Sequence, residues 1–349
     1  NSMSSYRLLF RRGESWVRNF DFDIRGKNHV QYGVFGPEQD GDVVLDGRGF
    51  VVEEHTGDCE IFGFDCRAGY DASNGFSITE RPPNLLTTWG DDDLGNPLLG
   101  VVTYSDMKLS GGDKLSFFVG LPPRVHFFDV SATDWLDYMI FAQVSVDILC
   151  RGCAFKQNVD AVNGAGKSEQ SAPFYVDHNP FRLSKPQGTT LLSACDFFSN
   201  VGHSNNTPHQ PPIRWPFQDL LKIATLIIDR VRTEGDSVFL GGNSNSAAPG
   251  IPPFYYHGPQ RIIVDRLHHV TTSTPSLIFG IQGGPAVMRN FVGVIGNRDG
   301  EFPGSTDQYF FFGAPVQTKW RAKQQTIRAY SFTVVDLRNS VRAPNPVDI

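Results

Sequence analysis

The feature that most constrains this chain is its succession of short apolar segments separated by turns rich in glycine and proline. The 349 residues include 35 glycines, 23 prolines and 28 phenylalanines. Aromatic and β-branched residues favour strands, and closely spaced Gly and Pro residues interrupt regular structure. The sequence therefore predicts many short strands joined by turns.

Several segments alternate apolar and polar residues or form brief apolar runs, as strands do. We predict strands at 19–24, 43–45, 50–52, 61–64, 115–119, 138–149, 261–264, 276–279, 291–295, 309–312 and 330–337. Asp40-Gly41 and Asp46-Gly47 are turn dipeptides. Residues 217–231 have helical spacing, although the β-branched run 225–228 keeps a strand as the alternative. No repeat with a period of 20–50 residues is visible, so the pattern favours a sandwich or a barrel.

The charge of the chain excludes a general attraction to nucleic acid. The formal net charge is −6, so any such contact needs a local patch. Basic residues concentrate near the two ends, where solvated surface is the favoured interpretation: Arg7, Arg11, Arg12 and Arg18; Lys319, Arg321, Lys323 and Arg328. No run of eighteen apolar residues exists, so we expect no membrane span.

The cysteines favour structural roles. Five cysteines are a low and odd number for a disulfide scaffold, which suits a reducing compartment. Cys150 and Cys153 have CxxC spacing, but a zinc site needs further ligands and a redox site needs a helix N-terminus. Cys59 and Cys66 are too far apart in sequence for a zinc knuckle.

Other candidate groups also favour non-catalytic interpretations. Asp91-Asp92-Asp93 could bind calcium, but its spacing is not that of an EF-hand and a solvated turn is favoured. His268 and His269 would point to opposite faces of a strand and could not share a metal. No GxSxG motif and no paired nucleophile and base appear. We therefore predict no catalytic residue, no metal site and no cofactor, and expect that the protein is not an enzyme.

Four segments resemble jelly-roll capsid proteins of picorna-like positive-strand RNA viruses, the dicistrovirus, marnavirus and iflavirus groups among them. Residues 304–315 resemble the end of such a domain, where an acidic turn precedes an aromatic strand that stops at Gly-x-Pro. Residues 251–261 are similar to the "V-P-Y-Y-x-x-x-R" stretch, and 4–12 to an "S-x-R-x-L-L-x-R" arm. Residues 111–122 repeat the acid–aromatic–Gly-x-Pro shape. The chain departs from the pattern in its length and in having Thr-Asp before the last strand.

The resemblance implies an all-β fold, an antiparallel jelly-roll β-sandwich with room for a second β domain or a large insertion. It implies a subunit that assembles with sibling subunits into an icosahedral shell enclosing RNA, with weak contact to that RNA. The expected location is the virion, and the host cytoplasm during assembly. The predicted division is an N-terminal arm at 1–20, a β-rich region at 21–123, a jelly-roll core at 124–320, and a C-terminal strand and tail at 321–349.

Two other functions remain open from the residues. A carbohydrate-binding β-sandwich of the lectin type would stack sugars on exposed tryptophans, with the candidates Trp16, Trp89, Trp135, Trp215 and Trp320. An enzyme on a β scaffold would use carboxylates such as Asp91, Asp93 or Asp134 as acid and base. The sequence does not select a pair of carboxylates, because their separation depends on the fold.

Overall fold

The structure is a computed structural model, and it is all-β apart from one short 3-10 helix, Glu38–Asp40, among the described residues. The described residues are 5–17, 22–26, 29–47, 49–55, 57–68, 83–89, 100–112, 114–119, 124–134, 138–142, 147–157, 172–176, 187–199, 223–235, 237–240, 261–271, 277–281, 285–295, 309–313 and 327–336.

These residues form strands β1 to β27. In chain order they are Ser5–Arg11, Ser15–Val17, Phe22–Gly26, His29–Phe35, Val43–Asp46, Phe50–His55, Cys59–Phe62, Phe64–Arg67, Leu86–Trp89, Val101–Ser105, Lys108–Ser110, Lys114–Val119, Arg124–Phe128, Ser131–Thr133, Tyr138–Ala142, Ile148–Arg151, Ala154–Gln157, Ala172–Val176, Gln187–Ser193, Asp196–Ser199, Ile223–Gly235, Ser237–Leu240, Arg261–Thr271, Leu277–Ile281, Ala286–Ile295, Tyr309–Gly313 and Ile327–Asp336.

Each strand pairs in parallel with the equivalent strand of the next turn of chain; only β20, which pairs with the long strand β21, has its partner next in sequence among the described strands. In the first two thirds of the chain this partner is the third strand along: β1 pairs with β4, β2 with β5 and β3 with β6. Such pairing describes a parallel β-helix with three strands per coil. The predicted antiparallel jelly-roll sandwich is therefore wrong. Alternation along a strand shows which residues face the core, but it does not show the direction of the neighbouring strand.

The strands form three long ladders. The first contains β1, β4, β7, β10, β13, β16, β19, β21, β23, β25 and β27, and these strands define coils 1 to 11 in that order. The second contains β2, β5, β8, β11, β14, β17 and β20, and it joins the first at the long strand β21. The third contains β3, β6, β9, β12, β15 and β18; β22, β24 and β26 form a separate small sheet.

The core fills the interior of the solenoid with stacked side chains from successive coils. Inward positions of the first ladder are apolar in coil after coil, as with Tyr104, Phe127, Ile228 and Val264, none more than 2% exposed. The Tyr104 and Phe127 rings stack with centroids 5.4 Å apart. Each coil thus buries its apolar side chains against the coils before and after it.

A residue with positive φ turns the chain between the first and second ladders in most coils. The positions are Gly63, Asp106, Asp129, Gly152, Ala194, Arg230, Arg266, Asn290 and Ser331. Glycine, aspartate and asparagine tolerate this left-handed conformation, whereas arginine and alanine adopt it at a cost. The predicted turns at Gly41 and Gly47 are confirmed and also have positive φ.

Most strand predictions on described residues are confirmed, with three informative differences. The segment 61–64 is divided at Gly63, whose positive φ turns the chain between β7 and β8. The segment 138–149 is divided between β15 and β16, which lie in different ladders. The described part of 217–231 belongs to strand β21, so the helical interpretation is wrong there. The β-branched run 225–228 favours the strand because its side chains fit a pleated sheet better than a helix. The ladders cross the predicted boundaries at 20, 123 and 320, and the division into domains stays a prediction.

Candidate interaction face

An unbroken column of aliphatic side chains lies on the outer face of the first ladder. Its members are in register in coils 6 to 10: Leu149, Leu191, Ile227, Ile263 and Val287. We call this column the apolar stripe. Successive rungs of a sheet are about 4.8 Å apart, so the stripe is about 19 Å long.

The outward direction of the stripe follows from alternation along each strand. Ile227 lies between Leu226 and Ile228, and both of these neighbours are fully buried. Ile263 lies in the same way between Ile262 and Val264. The stripe residues themselves are only partly buried. A continuous apolar run is typical of a parallel strand covered on both faces, so the outer face of these coils has the composition of a buried surface.

The same column is polar in the preceding coils. Its members there are Gln31, Glu60, Thr103 and His126. Gln31 Nε2 donates to Glu60 Oε2 at 2.6 Å, which satisfies both side chains on the surface. The change from polar to aliphatic residues falls between His126 and Leu149, which are paired rungs.

One flank of the stripe carries a ladder of charged side chains. Two residues further along the strands lie Ser193, Asp229, Asp265 and Arg289, which are also in register. Arg266 Nη2 donates to Asp229 Oδ1 at 2.5 Å and thus joins coils 8 and 9. Arg289 Nη2 donates to Asp265 Oδ2 at 3.4 Å, which extends the ladder to coil 10.

The positive-φ corner beside this ladder supplies further hydrogen-bond donors to its carboxylates, from Arg230, Arg266 and Asn290. Arg230 Nε donates to Asp229 Oδ2 at 2.9 Å, and Asn290 Nδ2 donates to Asp265 Oδ1 at 2.9 Å. The side chains of Arg230, Arg266 and Arg289 are 52–55% exposed, whereas those of the two aspartates are 21–23% exposed. The guanidinium groups therefore cover the carboxylates and retain donors that face solvent.

The protonation of the ladder argues against acid catalysis there. Partial burial acts to raise the pKa of Asp229, but hydrogen bonds and charge from Arg230 and Arg266 outweigh it and lower that pKa below its ordinary value. A general acid needs a raised pKa so that it holds a proton at neutral pH. Asp229 is instead a stable anion, suited to binding a cation or a donor.

The other flank of the stripe holds Asp147, Thr189, Thr225 and Arg261. Thr189, Thr225 and Arg261 are paired rungs, and Asp147 lies in the preceding coil, where its Oδ1 accepts a hydrogen bond from the Thr189 backbone N–H at 2.6 Å. Asp147 and Arg261 are exposed. The face thus has an aliphatic centre between two polar margins, the composition of a protein interface with its apolar core and polar rim.

The predicted cysteine roles agree with their positions. All five are buried free thiols. Cys150 and Cys153 lie on either side of the Gly152 corner, both inside the solenoid. Burial is the largest cause that raises the pKa of Cys59 to about 12. Among the residues that the structure describes, no group of His, Cys, Asp and Glu is arranged to hold a metal ion.

The two adjacent histidines do point to opposite faces, as predicted. His268 is partly exposed and His269 is fully buried. His269 Nδ1 is 2.7 Å from Thr233 Oγ1, and its Nε2 has no hydrogen-bond partner in the described part of the chain. Burial is the main cause that lowers the pKa of His269 to about 3, so the ring is neutral.

The remaining sequence candidates are only partly described. Trp16 is 45% exposed in coil 1, and Asp134 occupies a positive-φ position. Trp89 lies in β9, but its side chain is outside the described set. The candidates Asp91, Asp92, Asp93, Trp135, Trp215 and Trp320 lie outside the described residues. The apolar stripe was not predicted from the sequence; its signal is that the runs 226–228 and 262–264 are apolar on both faces of the strand.

Two further findings bear on the interpretation. No helix in the described ranges is long and apolar enough to cross a membrane. No protein family, no curated protein and no solved structure matches the chain. The interpretation of the face therefore depends on its own geometry.

Proposed function

We propose that this protein is a structural subunit that works by associating with other protein subunits through the apolar stripe and its polar flanks. The observation that carries the proposal is the aliphatic outer column of coils 6 to 10. The five side chains are partly buried, and the accessible part of each joins the next in one apolar column; contiguous apolar surface of this kind marks interaction sites. Completely burying an exposed isoleucine side chain contributes about 1.5–3 kcal/mol, so covering the remaining surface of the five partly buried rungs adds a fraction of that amount at each rung.

The ion-pair ladder supports assembly more than catalysis. Its carboxylates are already held by arginines, and the arginines keep donors that a second subunit could engage. Charged rims of this kind give an interface its specificity and orientation. A subunit that assembles, without catalysing a reaction, is also what the sequence predicts.

The resemblance to capsid proteins suggests one kind of assembly in which this subunit would take part. It would make the partners sibling capsid subunits, the product an icosahedral shell around RNA, and the location the virion or the host cytoplasm. Two of its motifs overlap strand β12, which pairs in parallel with β9 and β15, and strand β26, which pairs in parallel with β24. The capsid resemblance therefore has no support from a jelly-roll fold. Electron microscopy of the purified protein tests it directly: closed shells would support it, and their absence at high concentration would contradict it.

The test of the assembly proposal is sedimentation of the full chain and of two lysine variants. We expect the wild type to sediment as a species larger than its 38.7 kDa monomer. Ile227→Lys and Ile263→Lys place a charge in the stripe and should weaken association by a hundredfold or more, since ~2.7 kcal/mol corresponds to that factor. Their circular dichroism should be unchanged, because both side chains point outward.

Ser131→Lys is the matched control, because Ser131 is exposed on the second ladder. It should associate like the wild type. A wild-type protein that remains monomeric at millimolar concentration would contradict the proposal, as would stripe variants that associate normally.

A second candidate function, carbohydrate binding, has support from the first coils. Tyr6, Trp16 and Phe35 are each exposed by more than two fifths, and the Trp16 ring lies edge-on to Phe10 with centroids 6.0 Å apart. Exposed aromatic rings offer flat apolar faces to sugars. Quenching of Trp16 fluorescence by oligosaccharides, abolished in Trp16→Ala, tests it; an unchanged wild-type spectrum across a glycan panel would exclude it.

A further inference from the structure

We infer that the partner at the stripe is a second copy of this chain, related by a two-fold axis that runs along the stripe, so that the two solenoids lie side by side and parallel. This inference rests on the proposed function and specifies its partner and geometry. It follows from the chemistry of the two flanks, which are different from each other and complementary in coils 6, 8 and 9.

A two-fold axis along the stripe brings each stripe residue against its own counterpart. It also places the left flank of one copy opposite the right flank of the other. The consequences can be read directly from the strands, because each one carries both flanks. Coil 6 has Asp147 on one side and Arg151 on the other, and coil 9 has Arg261 and Asp265.

Opposite charges then meet in both of these coils. Asp147 of each copy faces Arg151 of the other, and Arg261 faces Asp265. In coil 8 the Thr225 hydroxyl faces the carboxylate of Asp229 and can donate to it. In coil 6 the acidic residue comes first along the strand, and in coil 9 the basic residue comes first. Opposite charges therefore meet only when each coil of one copy lies against the same coil of the other.

The alternative is a two-fold axis across the stripe, which makes the solenoids antiparallel and places like flanks together. When that axis crosses coil 8, Arg151 faces Arg289 and Asp229 faces Asp229, both unfavourable. When it passes between coils 7 and 8, charges match but Val287 faces His126 of the polar region. Only the parallel arrangement covers all five aliphatic rungs and opposes no like charges in coils 6 to 10.

Thiol cross-linking of variants that each carry one added, surface cysteine tests the arrangement. Stacked sheets lie about 10 Å apart, which exceeds the Cα separation of a disulfide, so a short bismaleimide is the reagent. We expect Leu149→Cys, Ile263→Cys and Val287→Cys each to give a covalent dimer of the same variant. In the charge-matched antiparallel arrangement the two copies of residue 149, or of 263, lie three rungs apart, about 14 Å along the stripe.

The controls use the same chemistry at other positions. The wild-type protein should give no dimer, because all five native cysteines are buried. Ser131→Cys, on the second ladder, should react with the reagent but remain monomeric on a denaturing gel. The native assembly of every variant is checked by sedimentation before cross-linking.

The outcomes separate this inference from the proposed function. Self-cross-linking at residues 149, 263 and 287 supports the parallel dimer. Cross-linking only in a mixture of Leu149→Cys and Ile263→Cys chains overturns it in favour of the antiparallel arrangement, while assembly through the stripe stands. Sedimentation as a dimer with no cross-link at any stripe position overturns the inference too. A wild-type chain that sediments only as a monomer contradicts both.

Discussion

In coils 2 to 5 the outward column of the first ladder is polar, and in coils 6 to 10 it is aliphatic. The interior of the second ladder changes in the opposite sense. The inward column holds apolar residues in coils 2 to 7, but Thr233 and His269 in coils 8 and 9. Its apolar members are Leu45, Cys66, Leu109, Ala132, Phe155 and Phe197. Coils 8 and 9 therefore carry aliphatic residues in the outward column of the first ladder and polar residues in the inward column of the second.

This comparison separates what the fold requires from what it leaves free. Inward positions of the first ladder are apolar in both regions, with the buried Thr190 of coil 7 as an exception, because each coil must bury a face against the next. The outward column can be polar or aliphatic without changing the pairing. The pairing of the strands therefore does not account for the aliphatic residues in coils 6 to 10, which is why we assign them to association.

The largest expected effect is a loss of stability when an inward side chain is truncated, and it should appear in the earlier and in the later coils alike. Phe127→Ala should destabilise the protein by about 3–5 kcal/mol and Leu267→Ala by about 2–5 kcal/mol, because both create cavities in close-packed stacks. Thr103→Ala, outward in the polar region, should change stability by less than about 0.5 kcal/mol. Urea unfolding monitored by circular dichroism measures all three. A Phe127→Ala effect as small as that of Thr103→Ala would break the comparison.

The next effect tests the polar interior of the later coils. The pKa of His269 is lowered by burial to about 3 in the folded protein, against about 6.5 when unfolded. The unfolded state therefore binds the extra proton between these values, and stability falls as pH drops from about 6.5 toward 3. The slope is about 1.4 kcal/mol per pH unit, or about 2 kcal/mol lost at pH 5.

Replacement of the ring should remove this acid sensitivity. We expect His269→Phe to show a flatter dependence of the urea midpoint on pH between 6.5 and 4 than the wild type. His268→Gln, one residue away on the outer face, is the control and should retain the wild-type slope. Equal pH dependence of the urea midpoint in the wild type and in His269→Phe would contradict the prediction that the buried His269 makes the later coils sensitive to acid.

A smaller effect concerns the corners. Gly152 has φ +68°, and a Cβ there would lie 2.2 Å from Asp129 Oδ1. Ala194 adopts φ +51° in the next coil. The left-handed conformation costs a non-glycine residue about 1–2 kcal/mol, so Gly152→Ala should destabilise and Ala194→Gly should stabilise by about 1 kcal/mol or less. Thermal midpoints of the two variants should move in opposite directions; movement in the same direction would contradict this account.

The sequence predicted the strands better than the topology for a physical reason. Alternation at residues 43–45 or 291–295 shows which side chains face inward, and this information is local. The pairing partner is not local: 24 residues separate Ser5 from His29, but 42 separate Ile148 from Thr190. Because coil length varies with the connecting segments, the solenoid leaves no fixed period in the sequence.

The candidate face was missed for a related reason. The runs 226–228 and 262–264 indicated strands that are apolar on both sides, which in most folds means complete burial. Only the register that places Leu149, Leu191 and Ile227 in one column shows that the second side is a continuous outer surface. The opposite facing of His268 and His269 was predictable, because it depends only on the two-residue period of a strand.

The smallest expected effect on the isolated chain separates the ion-pair ladder from the fold. Asp265→Asn removes the charge that faces Arg289 and should cost less than about 1 kcal/mol, because the arginine is more than half exposed. The matched control is Lys108→Gln, which breaks the Lys108–Asp42 pair of the earlier coils at 2.6 Å and should cost no more. The two variants should differ in association, since only Asp265 borders the stripe, where a partner excludes water and strengthens its interaction with Arg261. Sedimentation should therefore show weaker association for Asp265→Asn alone, and equal association of the two variants would assign the ladder to folding rather than to assembly.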